Sequence, residues 1–331
     1  MKRVIELCTP VSILAAASAV GYEEFRGPLG AEFDYHDDSD RFGEHTFERA
    51  EGEIAHIALN LALKKAGLSH TDIDLLYAGD LQNQCVASSG GLLSFGIPYI
   101  GLYGACSTLG EGLLSAALSL CATESLSRVA VVTTSHNSAA ERQFRLPLEY
   151  GGQRTPTAQW TATAGGAYIL DRGRGVCITH LMAGRILDYG IRDAANMGAA
   201  MAPAAKESIS VFLAETKSKA DDYDAIITGD LGREGSSLLK ELLFKDGISL
   251  SRHYDCGAML YHEKKQDSHA GGSGCGCSAA VFAAHFFKRL LSGEMRRVLL
   301  VPTGALMSPS SIAQGGSIAG IAPVICLEGC K

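Results

Sequence analysis

One pattern occurs twice in this chain and limits what it can fold into. Asp72-Ile73-Asp74 leads through Leu75-Leu76-Tyr77-Ala78 into Gly79-Asp80-Leu81, and Asp222-Tyr223-Asp224 leads through Ala225-Ile226-Ile227-Thr228 into Gly229-Asp230-Leu231. Each copy is a short apolar run closed by Gly-Asp-Leu, which reads as a buried strand ending in a turn. Each also follows a helical pattern. Glu48 to Ala66 places Ile54, Ile57, Ala58 and Leu61 on one face and is stopped by Gly67, and Ile209, Phe212 and Leu213 mark its counterpart. Agreement in element order is stronger evidence of duplication than one shared decapeptide.

A second match extends the repeat. Cys106 to Leu120 is an apolar helix after the Gly-rich turn 101–105, feeding Arg128-Val129-Ala130-Val131-Val132. Cys275 to Leu291 is a helix after Gly271 to Gly274, feeding Arg297-Val298-Leu299-Leu300-Val301. This alignment places Cys275 opposite Cys106 and implies about 19 extra residues between Leu231 and Cys275. Each half then ends in a Gly-rich apolar strand, Ala164 to Leu170 and Ile318 to Val324. The sequence thus predicts a layered α/β protein with an N-terminal half at 1–175 and a C-terminal half at 176–331. The loop insertion 135–163 has no counterpart and, with Trp160, Tyr150 and three arginines, is expected to be ordered.

The composition excludes several classes. A formal net charge of −7 without a Lys/Arg block argues against a nucleic-acid surface. Met1-Lys2-Arg3 followed by Val11 to Val20 imitates a signal peptide, but Glu6 and Pro10 interrupt it and the apolar run is too short to span a bilayer. A first buried strand is the expected reading, with neither signal peptide nor transmembrane segment. The ten cysteines are scattered and lack paired zinc spacing, which predicts reduced thiols. The acidic stretch 34–40 reads as a solvated loop rather than a calcium site.

Cys106 follows a Gly-rich turn and opens the most apolar helix of the first half. A helix N-terminus lowers a thiol's pKa and makes it a nucleophile; a buried cysteine is equally a small core residue. Placement alone leaves both readings open.

The chain resembles the thiolase superfamily, which includes thiolases and 3-oxoacyl carrier-protein synthases, and within it is similar to the thiolase-like stage V sporulation protein AD family of spore-forming bacteria. The resemblance runs through Gly27-Pro28-Leu29-Gly30, Phe42-Gly43-Glu44, Tyr103-Gly104-Ala105-Cys106-Ser107-Thr108, Ser135-His136-Asn137, the stretch from Glu141 to Gly151, and Thr155-Pro156-Thr157-Ala158-Gln159-Trp160-Thr161. It implies two βαβαβαββ-type halves in an α-β-α-β-α layering and a homodimer. It further implies binding of dipicolinic acid (pyridine-2,6-dicarboxylate), free or as a Ca²⁺ chelate, for uptake into the developing spore and later release at germination. The implied partners are other proteins of the stage V sporulation A operon. The implied location is peripheral at the forespore or spore inner membrane after synthesis in the cytoplasm. No other cofactor, no resident metal and no nucleic acid are expected.

The superfamily's enzymes assist the Cys with His and Asn, or two His, from the second half. Where the synthase His would follow the strand, this chain has Thr228-Gly229-Asp230-Leu231, and where the Asn would precede Ser278 it has Gly276-Cys277. A negative Asp230 would oppose a developing oxyanion. Cys106 is therefore expected as a vestigial nucleophile in a non-catalytic site, the alternative being a Cys106-dependent acyl-transferring or condensing enzyme. A planar dicarboxylate calls for an aromatic or apolar wall with charged and hydroxyl donors. The insertion supplies His136, Asn137, Arg142, Arg145, Arg154, Gln159 and Trp160; Cys106 is expected at the pocket floor, His253 and Cys256 as its closure, and His269 is counted with them.

Overall fold

The computed structural model describes residues 2–144, 153–173 and 175–329. Its centre is a large mixed sheet in which two five-strand sets repeat one order. In the first set, Tyr99–Gly101, Leu75–Gly79 and Val129–Ser135 run parallel, and Ala164–Asp171 and then Ser12 to Val20 of the long strand Ile5–Val20 follow antiparallel. In the second, His253–Asp255, Ala225–Thr228 and Arg297–Val301 run parallel, and Val324–Gly329 and Val176–Met182 follow antiparallel. The long strand joins the sets. Its far portion pairs with Ala164–Asp171, its near portion with Val176–Met182, and Ser12 and Ile13 pair on both sides. Pro10, which cannot donate to a ladder, sits within the register shift between Glu6 and Val11.

Alternation along the strands builds the layers. Val129 and Val131 face the central core together with Val298 and Leu300, whereas Ala130 and Val132 face one outer core and Leu299 and Val301 the other. The helices Thr108–Ala122 and Cys275–Leu291, the latter with a π-helical turn at Phe282–Phe286, fill the central layer with fully buried Leu109, Leu113, Ala279 and Phe282. Truncating such a leucine to alanine costs about 2–5 kcal/mol. Phe47–Ala66 covers the first set from outside, and Met197–Thr216 with Gly232–Lys245 covers the second. The former is capped by Thr46 and ends at Gly67, whose φ of 68° suits glycine.

Three expectations are corrected. The strand expected at Ile318 to Val324 is split, because Pro323 lacks an N–H. Ala319–Ile321 pairs with Gly304–Leu306 instead, and the sheet strand runs Val324–Gly329. The helix expected from Cys106 begins at Thr108. Cys177 is disulfide-bonded, although the eight other cysteines among the described residues are free. The expected insertion contains the helix Asn137–Phe144 and the strand Trp160–Thr161. Among the described residues, one helical stretch, Ala105–Ala122, has the length and hydropathy of a membrane span. It is the first central helix, packed between the strands.

Candidate functional site

The repeated aspartates show how the sequence builds the site. Asp72 and Asp222 accept the N–H of Ser69 and of Lys219 across a 3₁₀ turn. Asp74 accepts the N–H groups of Ser127 and Arg128, and Asp224 those of Arg296 and Arg297, so each pins the start of the neighbouring strand. The third aspartate differs between copies. Asp80 stays within its half, accepting from Gln82 N, Ser88 N and Ser88 Oγ at 2.6–2.8 Å. Asp230 reaches across the sheet ends, accepting from Thr303 Oγ1 (3.0 Å), Ser273 Oγ (3.1 Å) and Gly274 N (2.9 Å).

Cys106 meets Asp230 at this point. The turn before its helix is tight: Ala105 has φ 50°, Ser107 Oγ donates to Gly104 O at 2.7 Å, and Thr108 Oγ1 donates to Ala105 O at 2.6 Å. Cys106 is 5% exposed, and its Sγ lies 3.8 Å from Ser273 Oγ. Burial, followed by the charge of the nearby Asp230 carboxylate, pushes the Cys106 pKa well above the ordinary thiol value. Of the two readings that placement left open, activation by the helix N-terminus is thus outweighed. Burial also raises Asp230, to about 6, against the opposing effect of its hydrogen bonds. The pair holds its proton on sulfur and its charge on the carboxylate, the reverse of what a nucleophilic thiol needs.

A small cleft opens beside the pair, enclosing about 50 Å³ once open solvent is left out. Cys106, Ala105 and Ser273 form its buried end, and Tyr103, 45% exposed, stands at its rim. Leu81, Ala140 and Phe144 come from the first half, Met197, Ala305 and Met307 from the second, and Glu141 and Thr161 add oxygens. Ala140, Ala194, Met197, Ala305 and Met307 carry no motif. Met197 and Ala305 read as ordinary core residues until the fold brings the halves together, whereas Thr161 belongs to the Thr155–Thr161 stretch and Ser273 to the Gly-rich turn Gly271 to Gly274.

Of the residues expected to contact ligand, Cys106 alone lines the cleft among those described. His136 is buried beside Phe47, with Nε2 2.8 Å from Asp40 O and Nδ1 accepting from Ser138 N, and burial lowers its pKa. Asn137 donates to Thr161 O at 3.2 Å and so braces a cleft strip without lining it. Arg142 forms a surface ion pair with Glu48. Arg145 lies outside the described residues. Arg154 stacks over Trp160 at 4.8 Å and pairs with Asp267, which also pairs with His269. Gln159 donates to the carbonyls of Asp230 and Gly272, positioning the acid rather than touching the cleft. His253 contacts Thr228 Oγ1 at 2.8 Å on an edge strand, with burial lowering its pKa to about 4. Cys256 is fully buried in the central core. Neither His253 nor Cys256 closes the cleft.

The position expected for an enzymatic Asn is filled by backbone. A Cβ on Gly276 would lie 2.0 Å from Ala164 O, and Cys277 points into the central core. Among the described residues no group of three or more His, Cys, Asp or Glu converges as metal ligands. The acidic loop binds inward instead: Asp34 pairs with Lys65 and Lys288, and Asp40 accepts Tyr22 N.

Comparison with known proteins places this geometry. The family described as stage V sporulation protein AD matches residues 1–328. Stage V sporulation protein AD of Bacillus subtilis (strain 168) is 42% identical over 321 residues, covering 96% of this chain and 94% of the relative. Similar solved structures include a variant of OleA from Xanthomonas campestris (TM-score 0.62, 14% identity, 97% of this chain and 100% of that one). The tetronic acid condensing enzyme AbyA1 (0.60, 20%, 96% and 100%) and 3-oxoacyl-(acyl carrier protein) synthase III of Pseudomonas aeruginosa PAO1 (0.58, 16%, 97% and 99%) are also similar. At these identities the solved structures establish a shared thiolase-like fold.

Proposed function

Because the chain belongs to the stage V sporulation protein AD family, and so has a role in sporulation, we propose that it binds dipicolinate in the Cys106 cleft without catalysis, serving uptake of that compound into the spore and its release at germination. One observation carries the non-catalytic reading: burial and the adjoining Asp230 carboxylate keep the Cys106 proton on sulfur, where a condensing enzyme needs a thiolate and an oxyanion donor. The apolar wall suits the ring. The lining offers carboxylate, phenol and hydroxyl oxygens but no Lys or Arg among the described residues. This favours the neutral Ca²⁺ chelate over the free dianion, since calcium takes oxygen ligands.

Titration calorimetry tests the reading with the chelate and with free dipicolinate. Heat is expected with the chelate, at least tenfold weaker binding in Ala140→Phe, which fills the cleft, and absence of heat with both compounds in the unaltered protein overturns it. The second reading is acyl transfer through Cys106, favoured by the turn that presents this thiol at a helix start. Mass spectrometry after incubation with acyl-coenzyme A decides between them: a Cys106 adduct with turnover reverses the ranking.

The same proposal includes a homodimer and peripheral docking to operon partners at the spore inner membrane. The Tyr99–Gly101 edge supports the dimer. All three of its residues are exposed, it pairs on one side only among the described residues, and Leu93, six residues earlier, is 79% exposed. Sedimentation showing a monomer alone at micromolar concentration removes the dimer from the proposal.

A further inference from the structure

Glu24 is a buried acid that the cleft chemistry does not use. It lies in the short helix Tyr22–Phe25, is 1% exposed, and touches three separate parts of the chain. Its Oε1 accepts the Thr163 N–H at 3.1 Å and the hydroxyl of Tyr261, while Oε2 is buried without a hydrogen-bond partner. A second acid stands beside it. A Cβ on Gly21 would fall 3.0 Å from Glu24 Oε2 and 2.3 Å from Asp40 Oδ1, so the two carboxyls share the space above that glycine.

The surroundings select a charge state. Tyr261 faces Glu24 from the segment after Cys256–Leu260, Thr163 from the cleft strip, and Asp40 from the acidic loop. On its own helix and just after it, Glu23 and Arg26 pair with each other. In the acidic loop Asp37 binds Ser39, and His136 meets the Asp40 carbonyl rather than its carboxyl. None of these groups is a cation directed at Glu24. A carboxylate with one bare buried oxygen beside another acid is strongly disfavoured, and the neutral acid is not. Burial correspondingly raises Glu24 from 4.5 to about 8.

This contact bears on the cleft. Thr163 is gripped on both backbone groups, its N–H by Glu24 and its carbonyl by Gly21 N at 2.7 Å. The strip it ends, Trp160 to Thr163, pairs with Gly272 and Ser273, and Thr161 and Ser273 both line the cleft. Tyr261 belongs to the second half, and Gln266 of the same segment donates to Glu23. We propose that Glu24 is a proton-held latch: as a neutral acid it ties the N-terminal segment to Thr163 and Tyr261 and so fixes one wall of the cleft, and its ionisation releases that wall.

The latch does not depend on what the cleft binds. Its test is amide hydrogen exchange of the 160–163 stretch, corrected for intrinsic rate, from pH 6.5 to 9.5 in the full chain. Protection in the unaltered protein is expected to fall at least tenfold as pH rises through about 8, and Glu24→Gln, which keeps both accepted hydrogen bonds, to remain flat. Identical pH profiles in the two proteins overturn the latch. Should Glu24→Gln not fold, Tyr261→Phe serves. It removes a bond that favours the ionised form, so the fall in protection is expected at higher pH; an unmoved transition refutes the proposal.

Discussion

Asp80 and Asp230 occupy the same place in two copies of one motif and do different work. Asp80 ties the end of its strand to the helix Val86–Leu92 next in sequence, through Ser88. Asp230 instead ties together Ser273, Gly274 and Thr303, and its charge opposes ionisation of Cys106 in the opposite half. The opposed cysteines diverge likewise. Cys275 donates to the Thr134 carbonyl at 2.9 Å, whereas Cys106 lies 3.8 Å from Ser273 Oγ, feels the Asp230 charge and stands in the cleft. Duplication supplied two equivalent corners. One became a structural cap and the other a site, and the hydrogen-bond partners alone tell them apart.

Substitutions can break this contrast, beginning with the largest effect. Gly276 corresponds to Ser107 in the other half. Gly276→Ala would press a Cβ to 2.0 Å from Ala164 O, with a predicted loss above about 4 kcal/mol in denaturant unfolding, while Ser107→Ala loses one hydrogen bond, about 1 kcal/mol. Next, Asp80→Ala and Asp230→Ala each strand three donated hydrogen bonds, and both are expected to cost about 2–4 kcal/mol in the same measurement. Equal costs would mean that the halves differ in chemistry and not in stability.

The pH dependence sharpens the contrast further. Asp230 rises from 3.8 to about 6 on folding, so the folded state holds its proton more tightly. Its stabilising contribution is whole below pH 3.8 and is lost as pH rises through about 6. It amounts to at most about 3 kcal/mol, and Asp230→Asn is expected to flatten the unfolding midpoint between pH 4 and 6.5. The smallest effect separates the thiols. Asp230→Asn removes the charge that holds the proton on Cys106 and should raise its alkylation by iodoacetamide at pH 8 about tenfold, or about 1.4 kcal/mol. Asp80→Asn should change Cys275 less, because burial comes first among the causes that raise that thiol and Asp80 comes after Glu51, as peptide mass spectrometry would show.

The fold was legible because duplication gave two readings of each element. Leu75–Gly79 and Ala225–Thr228 were each predicted by the other, and the central helices fell where the Gly-rich turns placed them. The failures are local: Pro323 split a strand that apolar content alone predicted, and the length of the first strand was set by partners far along the chain. The site was half legible. Asp230 and Cys106 stood out through motif and position, but the arginines of the insertion were grouped for their chemistry, and the fold sends Arg142 to Glu48 and Arg154 to Asp267. Periodicity and charge do not reveal which surface a side chain faces once a loop has turned, and alanines such as Ala140 and Ala305 carry no signal until two halves meet.

The long strand Ile5–Val20 sets a demand on synthesis. It is shared by both strand sets, and apart from the two-residue strand Tyr35–His36 at its far end its partners are Ala164–Asp171 and Val176–Met182, about 160 residues later in the chain. At about 5–20 residues per second, the apolar run from Val11 to Val20 waits roughly 10–30 s outside the ribosome before either neighbour exists. Pairs of such long sequence separation also form slowly once available. The feature that welds the halves together thus makes the nascent chain dependent on whatever shields its first strand.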